Sequence, residues 1–295
     1  MRIGAIVPND GPLPERIGVD TMARAAEGAG AASLWVSDHI LMVDGPTSRY
    51  PYSADGQQTW SNEIDYFEAL TCCAYMAAVT HRCRIGTAVL VLPQRNVLEL
   101  AKMVASIDRL SAGRFVLGVG AGWHAAEMQA LGYDFAGRGK RLDEMLDVLR
   151  DCWSGRPREH GGELVEVPPG VVLHPRPVEP AGPAVLVGGM SDPALRRAAA
   201  RGDGWIALAS AEPFDGDGLG ERLLALQRLR GEHGRIDPFE TVLKLHASPG
   251  LASALPELAV QARGMGFDEL AVEPPWELGA EAAGETIAEV VAATS

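Results

Sequence analysis

The chain has 295 residues, 47% of them hydrophobic, and a formal charge of −13 from 26 Lys and Arg against 39 Asp and Glu. That much apolar material supports a large buried core, which excludes a disordered chain. The acidic balance, with its basic residues scattered, argues against nucleic acid or an anionic membrane surface as a partner.

Residues 3–7 form an apolar run ending at Pro8, and apolar positions near helical spacing follow over 13–29. No charged-then-apolar leader precedes that first run, and no run approaches the roughly 18 residues of a membrane span, so the expected location is the cytoplasm. A second strand over 34–36 discharges into Ser37, Asp38 and His39. Residues 41–62 are then rich in Pro, Gly, Ser and Tyr without a period, far longer than the usual connection of about two to six residues. Such a stretch is either a lid or a disordered insertion. Residues 66–80 suit a helix, 84–92 a third strand and 97–110 its helix.

Residues 115–119 are apolar without polar alternation, as in a strand covered on both faces, and Gly118, Gly120 and Gly122 follow the strand out. The third glycine of a dinucleotide-binding fingerprint is missing at its offset, so a Rossmann reading is disfavoured. An amphipathic helix is expected over 139–153, and an irregular, proline-rich insertion with a small hairpin over 155–183. Strand 184–187 leads to the turn Gly188-Gly189-Met190-Ser191 and a helix opening at Asp192-Pro193. Strands over 206–209, 242–245 and 270–272 alternate with helices over 220–230, 255–265 and 280–293. Eight βα pairs without a domain-type linker fit one (β/α)₈ TIM barrel over residues 1–295, an α/β fold with insertions.

In such a barrel, functional groups lie where strands end. Asp38 and His39 are there as an acid/base or orienting pair, although neighbours on a strand face opposite ways unless a turn redirects one. The glycines of the fourth and fifth turns either present backbone N–H groups to an anion or close the turns for steric reasons. His124 reads as a surface residue at a helix start. The remaining histidines show no H-E-x-x-H pattern. Cys72, Cys73, Cys83 and Cys152 show neither C-x-x-C nor metal spacing, so they read as reduced and no metal is expected. There is no G-x-S-x-G elbow.

The segments SLWVSDH (33–39), RIGTAVLVLPQRN (84–96), DRLSAGRFVLGVGAGW (108–123) with Glu127 and Leu131-Gly132, and VLVGGMSDPALRRAAARGDGW (185–205) together resemble the luciferase-like monooxygenase superfamily. They resemble most its coenzyme F420-dependent oxidoreductase branch. The resemblance implies a barrel that holds a deazaflavin, F420, or alternatively FMN, and acts on a small-molecule substrate, usually as a homodimer. It places His39 near the reactive edge of the ring with Asp38 beside it, and a non-prolyl cis peptide at Ala88-Val89 in a bulge behind the ring. It also places Gly120-Ala121-Gly122 and Gly188-Gly189-Met190-Ser191 along the ribityl phosphate.

One departure stands out. The sugar-phosphate dehydrogenases of the branch carry a glutamate acid where this chain has Trp123, and a tryptophan where it has Val43. Trp123 is then expected to wall the substrate pocket or stack beside the ring, or simply to pack at a helix start, and Glu127 to serve helix packing. Three activities follow as expectations: F420-dependent hydride transfer to or from an organic substrate, an FMN-dependent monooxygenase, or a non-catalytic cofactor-binding protein.

Overall fold

In the computed structural model, eight apolar runs become eight parallel strands: β1 Arg2–Ile6, β2 Ser33–Val36, β3 Arg84–Thr87, β4 Phe115–Gly120, β5 Val185–Gly188, β6 Gly204–Ser210, β7 Glu240–His246 and β8 Glu269–Val272. The structure describes residues 1–44, 48–51, 53, 55–58, 60–246 and 250–294. Each strand pairs with the next, and the sheet closes where β8 pairs with β1 through Arg2↔Glu269 to Ala5↔Val272. The expected (β/α)₈ TIM barrel is therefore the observed fold. Outside it lie α1 Val19–Gly28, α2 Ala69–Val79, α3 Val97–Leu110, α4 Ala125–Ala130, α5 Arg138–Cys152, α6 Asp192–Arg201, α7 Gly216–Glu232, α8 Leu255–Met265 and α9 Ala280–Ala293. Among the described residues, no helix is long and apolar enough to cross a membrane.

The helices start where side chains satisfy their first amides. Asn96 accepts from the Leu98 and Glu99 N–H groups ahead of α3, which buries Val97, Leu100, Ala101 and Val104. Inside the barrel, Ile6, Trp35, Ala88, Val116, Leu186, Ile206, Val242 and Ala271 form one buried cluster, with one residue from each strand or its immediate extension. The barrel is thus filled rather than hollow. At its lower end Glu269, fully buried, accepts from Trp35 Nε1 at 2.8 Å, from Arg2 Nε at 3.1 Å and from the Ser33 hydroxyl. A carboxylate this deep is tolerable because its oxygens are taken by donors, two of them from charged or ring N–H groups.

Three local departures from the sequence reading have physical causes. The apolar run over 13–29 is two pieces, Leu13–Arg16 and α1, because the chain turns at Gly18 with φ +94°. The third run is not one strand: β3 stops at Thr87, the Ala88-Val89 peptide is cis as the resemblance implied, and Leu90–Val91 then rejoins the sheet against Val119 and Gly120. After β4 the chain forms the short helix α4 before reaching α5. The insertion over 155–183 contains the antiparallel pair His160–Gly161 with Glu166–Val167, and Glu144 of α5 anchors it by accepting from the Leu164 and Val165 N–H groups at 3.0 Å each.

Candidate active site

The residues around the carboxyl ends of β2, β3, β4 and β5 interlock through the bulge at Ala88-Val89. Thr87 Oγ1 donates to Gly118 O at 2.7 Å and the Ala88 N–H to Val36 O at 2.8 Å. The side chain of Val89 lies over two glycines: a Cβ at Gly120 would sit 2.6 Å from its Cγ2, and a Cβ at Gly188 2.5 Å from its Cγ1. At Gly122 a Cβ would meet Val91 Cγ1 at 2.5 Å. These glycines therefore have a packing cause: the valines of the bulge occupy the space that their side chains would take. Ala121 between them is half-buried against the main core.

Asp38 and His39 part company at this point. Asp38, 4% exposed, accepts from Arg95 Nη2 at 2.6 Å through one oxygen and from the Val91 N–H at 2.8 Å through the other. Burial pushes this carboxyl up while Arg95 and the Val91 amide pull it down, and both oxygens act as acceptors. Asp38 thus ties β2 to the bulge. It does not hold His39.

The partner of His39 is Glu127 on α4: Nδ1 lies 2.8 Å from Glu127 Oε2, and Glu127 is 1% exposed. The other carboxylate oxygen accepts from the Ile40 N–H at 2.6 Å and Gln94 Nε2 at 3.2 Å. Burial would raise this carboxyl, but the hydrogen bond and charge of His39 and the Ile40 and Leu41 amides outweigh it and hold it below the usual range. A carboxylate at Nδ1 fixes the proton there and leaves Nε2, which no described residue takes, as the nitrogen able to exchange a proton. Sequence reasoning gave Glu127 a packing role. The structure instead makes it the anchor of His39.

Aromatic rings enclose the histidine. Tyr66 and Trp123 meet it edge-on at 5.5 and 5.8 Å between centroids, and Trp60 lies tilted at 6.2 Å. Trp123 also meets Tyr50 at 5.1 Å and Trp60 at 6.2 Å. Tyr50 and Trp60 belong to the insertion over 41–62, so the described part of that segment packs over His39. Its residues 45–47, 52, 54 and 59 lie outside the described residues. Hydrogen exchange across this segment is expected to slow when cofactor binds, as for a lid that excludes water. Exchange already slow, and unchanged by ligand, would make it a static wall. His124 is not a surface residue: it is 3% exposed and its Nδ1 caps α4 by accepting the Glu127 N–H at 2.9 Å. Burial lowers its pKa, and with Nδ1 accepting an N–H the neutral ring carries its proton on Nε2.

On the other side of the bulge, Gly189 adopts φ +124° and its carbonyl accepts from Trp205 Nε1 at 2.9 Å. The Leu208 N–H points at Met190 Sδ at 3.3 Å, and Ser191 caps α6. The turn is pinned, and it opens onto a helix N-terminus of the kind that receives phosphate. The glycine turns at 120–122 and 188–189, the bulge and this helix start fit a planar ring system with a phosphate-bearing chain. Nothing in the local sequence announced Arg95 or Tyr66 as members of the site. Their signal lies only in distant partners.

The sequence profile described as luciferase-like monooxygenase matches residues 18–255. The Mycobacterium tuberculosis protein named "Uncharacterized protein Rv0940c" is 36% identical over 219 residues, covering 74% of this chain and 73% of that protein. An F420-dependent glucose-6-phosphate dehydrogenase of Amycolatopsis mediterranei is 32% identical over 187 residues, 61% of this chain and 50% of its own length. Among solved structures, an F420-dependent secondary alcohol dehydrogenase in complex with an F420-acetone adduct superposes with a TM-score of 0.77 at 17% identity, covering 98% of each chain. The chain belongs to the luciferase-like monooxygenase family.

Proposed function

We propose that this protein is an F420-dependent oxidoreductase that transfers a hydride between the deazaflavin and a small organic substrate, working in the cytoplasm as a homodimer. The observation that carries the reading is His39, held at Nδ1 by Glu127 beside the Ala88-Val89 bulge, with its Nε2 untaken by any described residue. Similarity to the F420-dependent glucose-6-phosphate dehydrogenase supports the choice of cofactor.

When bound, the deazaflavin supplies the hydride chemistry. The residues present would divide the remaining work. Val89 and the bulge would back the ring, and Gly120, Gly122, Gly188, Gly189 and Ser191 would line its side chain and phosphate. His39 Nε2 holds or moves the proton at the substrate atom that gains or loses charge, and Glu127 stabilises the imidazole while it is protonated. Trp123, Tyr50 and Trp60 wall the substrate side and exclude water. Trp123 cannot donate a carboxylic proton, so proton transfer at the substrate falls to His39.

The family's monooxygenases set the competing reading, an FMN-dependent enzyme that consumes oxygen. Reduced F420 and reduced FMN, each mixed with enzyme and a panel of carbonyl and enone acceptors with and without oxygen, separate the two. Acceptor-dependent oxidation of reduced F420 that is indifferent to oxygen is the expected result. An oxygenated product formed only with FMN and oxygen would replace this function, and saturable F420 binding with no turnover on any acceptor would favour a binding protein.

A further inference from the structure

Lys244 lies on β7, two residues beyond Val242, whose side chain belongs to the barrel-interior cluster. The alternation of a strand puts Lys244 on the same inward side, one layer nearer the carboxyl ends. Its Nζ donates to Ala88 O at 2.9 Å and to Ser37 Oγ at 3.2 Å. The ammonium therefore spans the barrel from β7 to the bulge that follows β3 and to the residue that follows β2.

The groups that face it come from two elements, Asp10 beyond β1 and Glu273 beyond β8, while Tyr66 shares Ser37 with it. His246, further along β7, is paired with Glu273 at 3.0 Å. Burial draws the Lys244 pKa down while Glu273 and Asp10 draw it up. An ammonium has three N–H donors, and two have acceptors here.

The bulge is held from several sides. Asp38 holds Val91, the glycines at 120 and 188 receive the Val89 side chain, and Lys244 holds the Ala88 carbonyl. The first two act on the residues after the bulged peptide. Lys244 acts on that peptide itself, and with a cation. A fixed cation beside a peptide that backs a redox ring also favours the more negative form of that ring.

We infer that Lys244 is a positioning residue for the cofactor, gripping the Ala88 carbonyl so that the bulge presents a fixed wall to the ring and placing a positive charge next to it. This rests on the reading that the cleft holds a deazaflavin or flavin, and it assigns a role to β7, which supplies none of the candidate-site residues described above.

The test uses the full chain as wild type, Lys244→Met and Lys244→Gln. Methionine removes donor and charge. Glutamine keeps a polar end beside Asp10 and Glu273 but is one bond shorter, so it withdraws from the Ala88 carbonyl. Each protein is titrated with F420 and with FMN, and the absorption spectrum and midpoint potential of the cofactor are read at saturation, where a loss of stability alone would not move them. Both variants are expected to bind at least tenfold more weakly than wild type, with an absorption band displaced toward that of free cofactor and a more negative midpoint potential. Should Lys244→Met fail to melt cooperatively, Lys244→Gln carries the comparison. A folded variant whose affinity, saturated spectrum and potential equal those of wild type overturns this role alone. Wild type that binds neither cofactor overturns the functional reading, and this role falls with it.

Discussion

Replacing His39 by alanine is expected to lower turnover by about 10²–10⁴-fold, the range typical of a positioned acid/base group, while changing cofactor affinity only a few-fold. The asymmetry follows from geometry. Nδ1 is committed to Glu127 and the ring is walled by Tyr66, Trp60 and Trp123, whereas the groups that would hold the cofactor are the bulge and the two glycine turns. Steady-state rates with the dissociation constant from fluorescence titration check it. Turnover equal to wild type would reduce His39 to a structural residue.

Glu127→Ala is expected to be the most destabilising single change at the site, by about 3–5 kcal/mol, because several donors lose a charged acceptor at about 1–3 kcal/mol each. The alanine strands His39 Nδ1, the Ile40 N–H and Gln94 Nε2 together, and His39 and Gln94 are buried. Urea unfolding measures the loss, and a change below about 1 kcal/mol would contradict the arrangement. Acid sensitivity gives an independent sign. The folded-state pKa of Glu127 lies below its ordinary value of 4.5. Its stabilisation is therefore present above that ordinary value and is lost as pH falls through the lowered one. Glu127→Gln, with nothing to protonate, should unfold with a flatter dependence on pH in that acid window than wild type does.

The barrel was legible because its signal is periodic and local: short apolar runs, each followed by a helical pattern, need no partner to be recognised. Strand ends could be named for the same reason, which put Asp38, His39, Gly120 and Gly188 among the candidates. What each does there was not legible, because it depends on residues far away in sequence. Asp38 meets Arg95 across 57 positions, His39 meets Glu127 across 88, and Lys244 meets Ala88 across 156. Adjacency suggested an Asp38-His39 pair, yet the chain past Val36 no longer follows a strand, and the two side chains diverge to different partners. The glycines were visible but their cause was not, since the space that excludes a Cβ at 120 and 188 is filled by Val89 after a cis peptide that no composition or period encodes. Trp123 and the insertion over 41–62 were visible separately. Their contact through Tyr50 and Trp60 needed the fold.

The most direct test of the central claim is a pair of parallel titrations of the purified protein with F420 and with FMN under identical salt and pH. Saturable binding of F420, substantially tighter than that of FMN, is the predicted result. Tight binding of FMN with no detectable binding of F420 would contradict it.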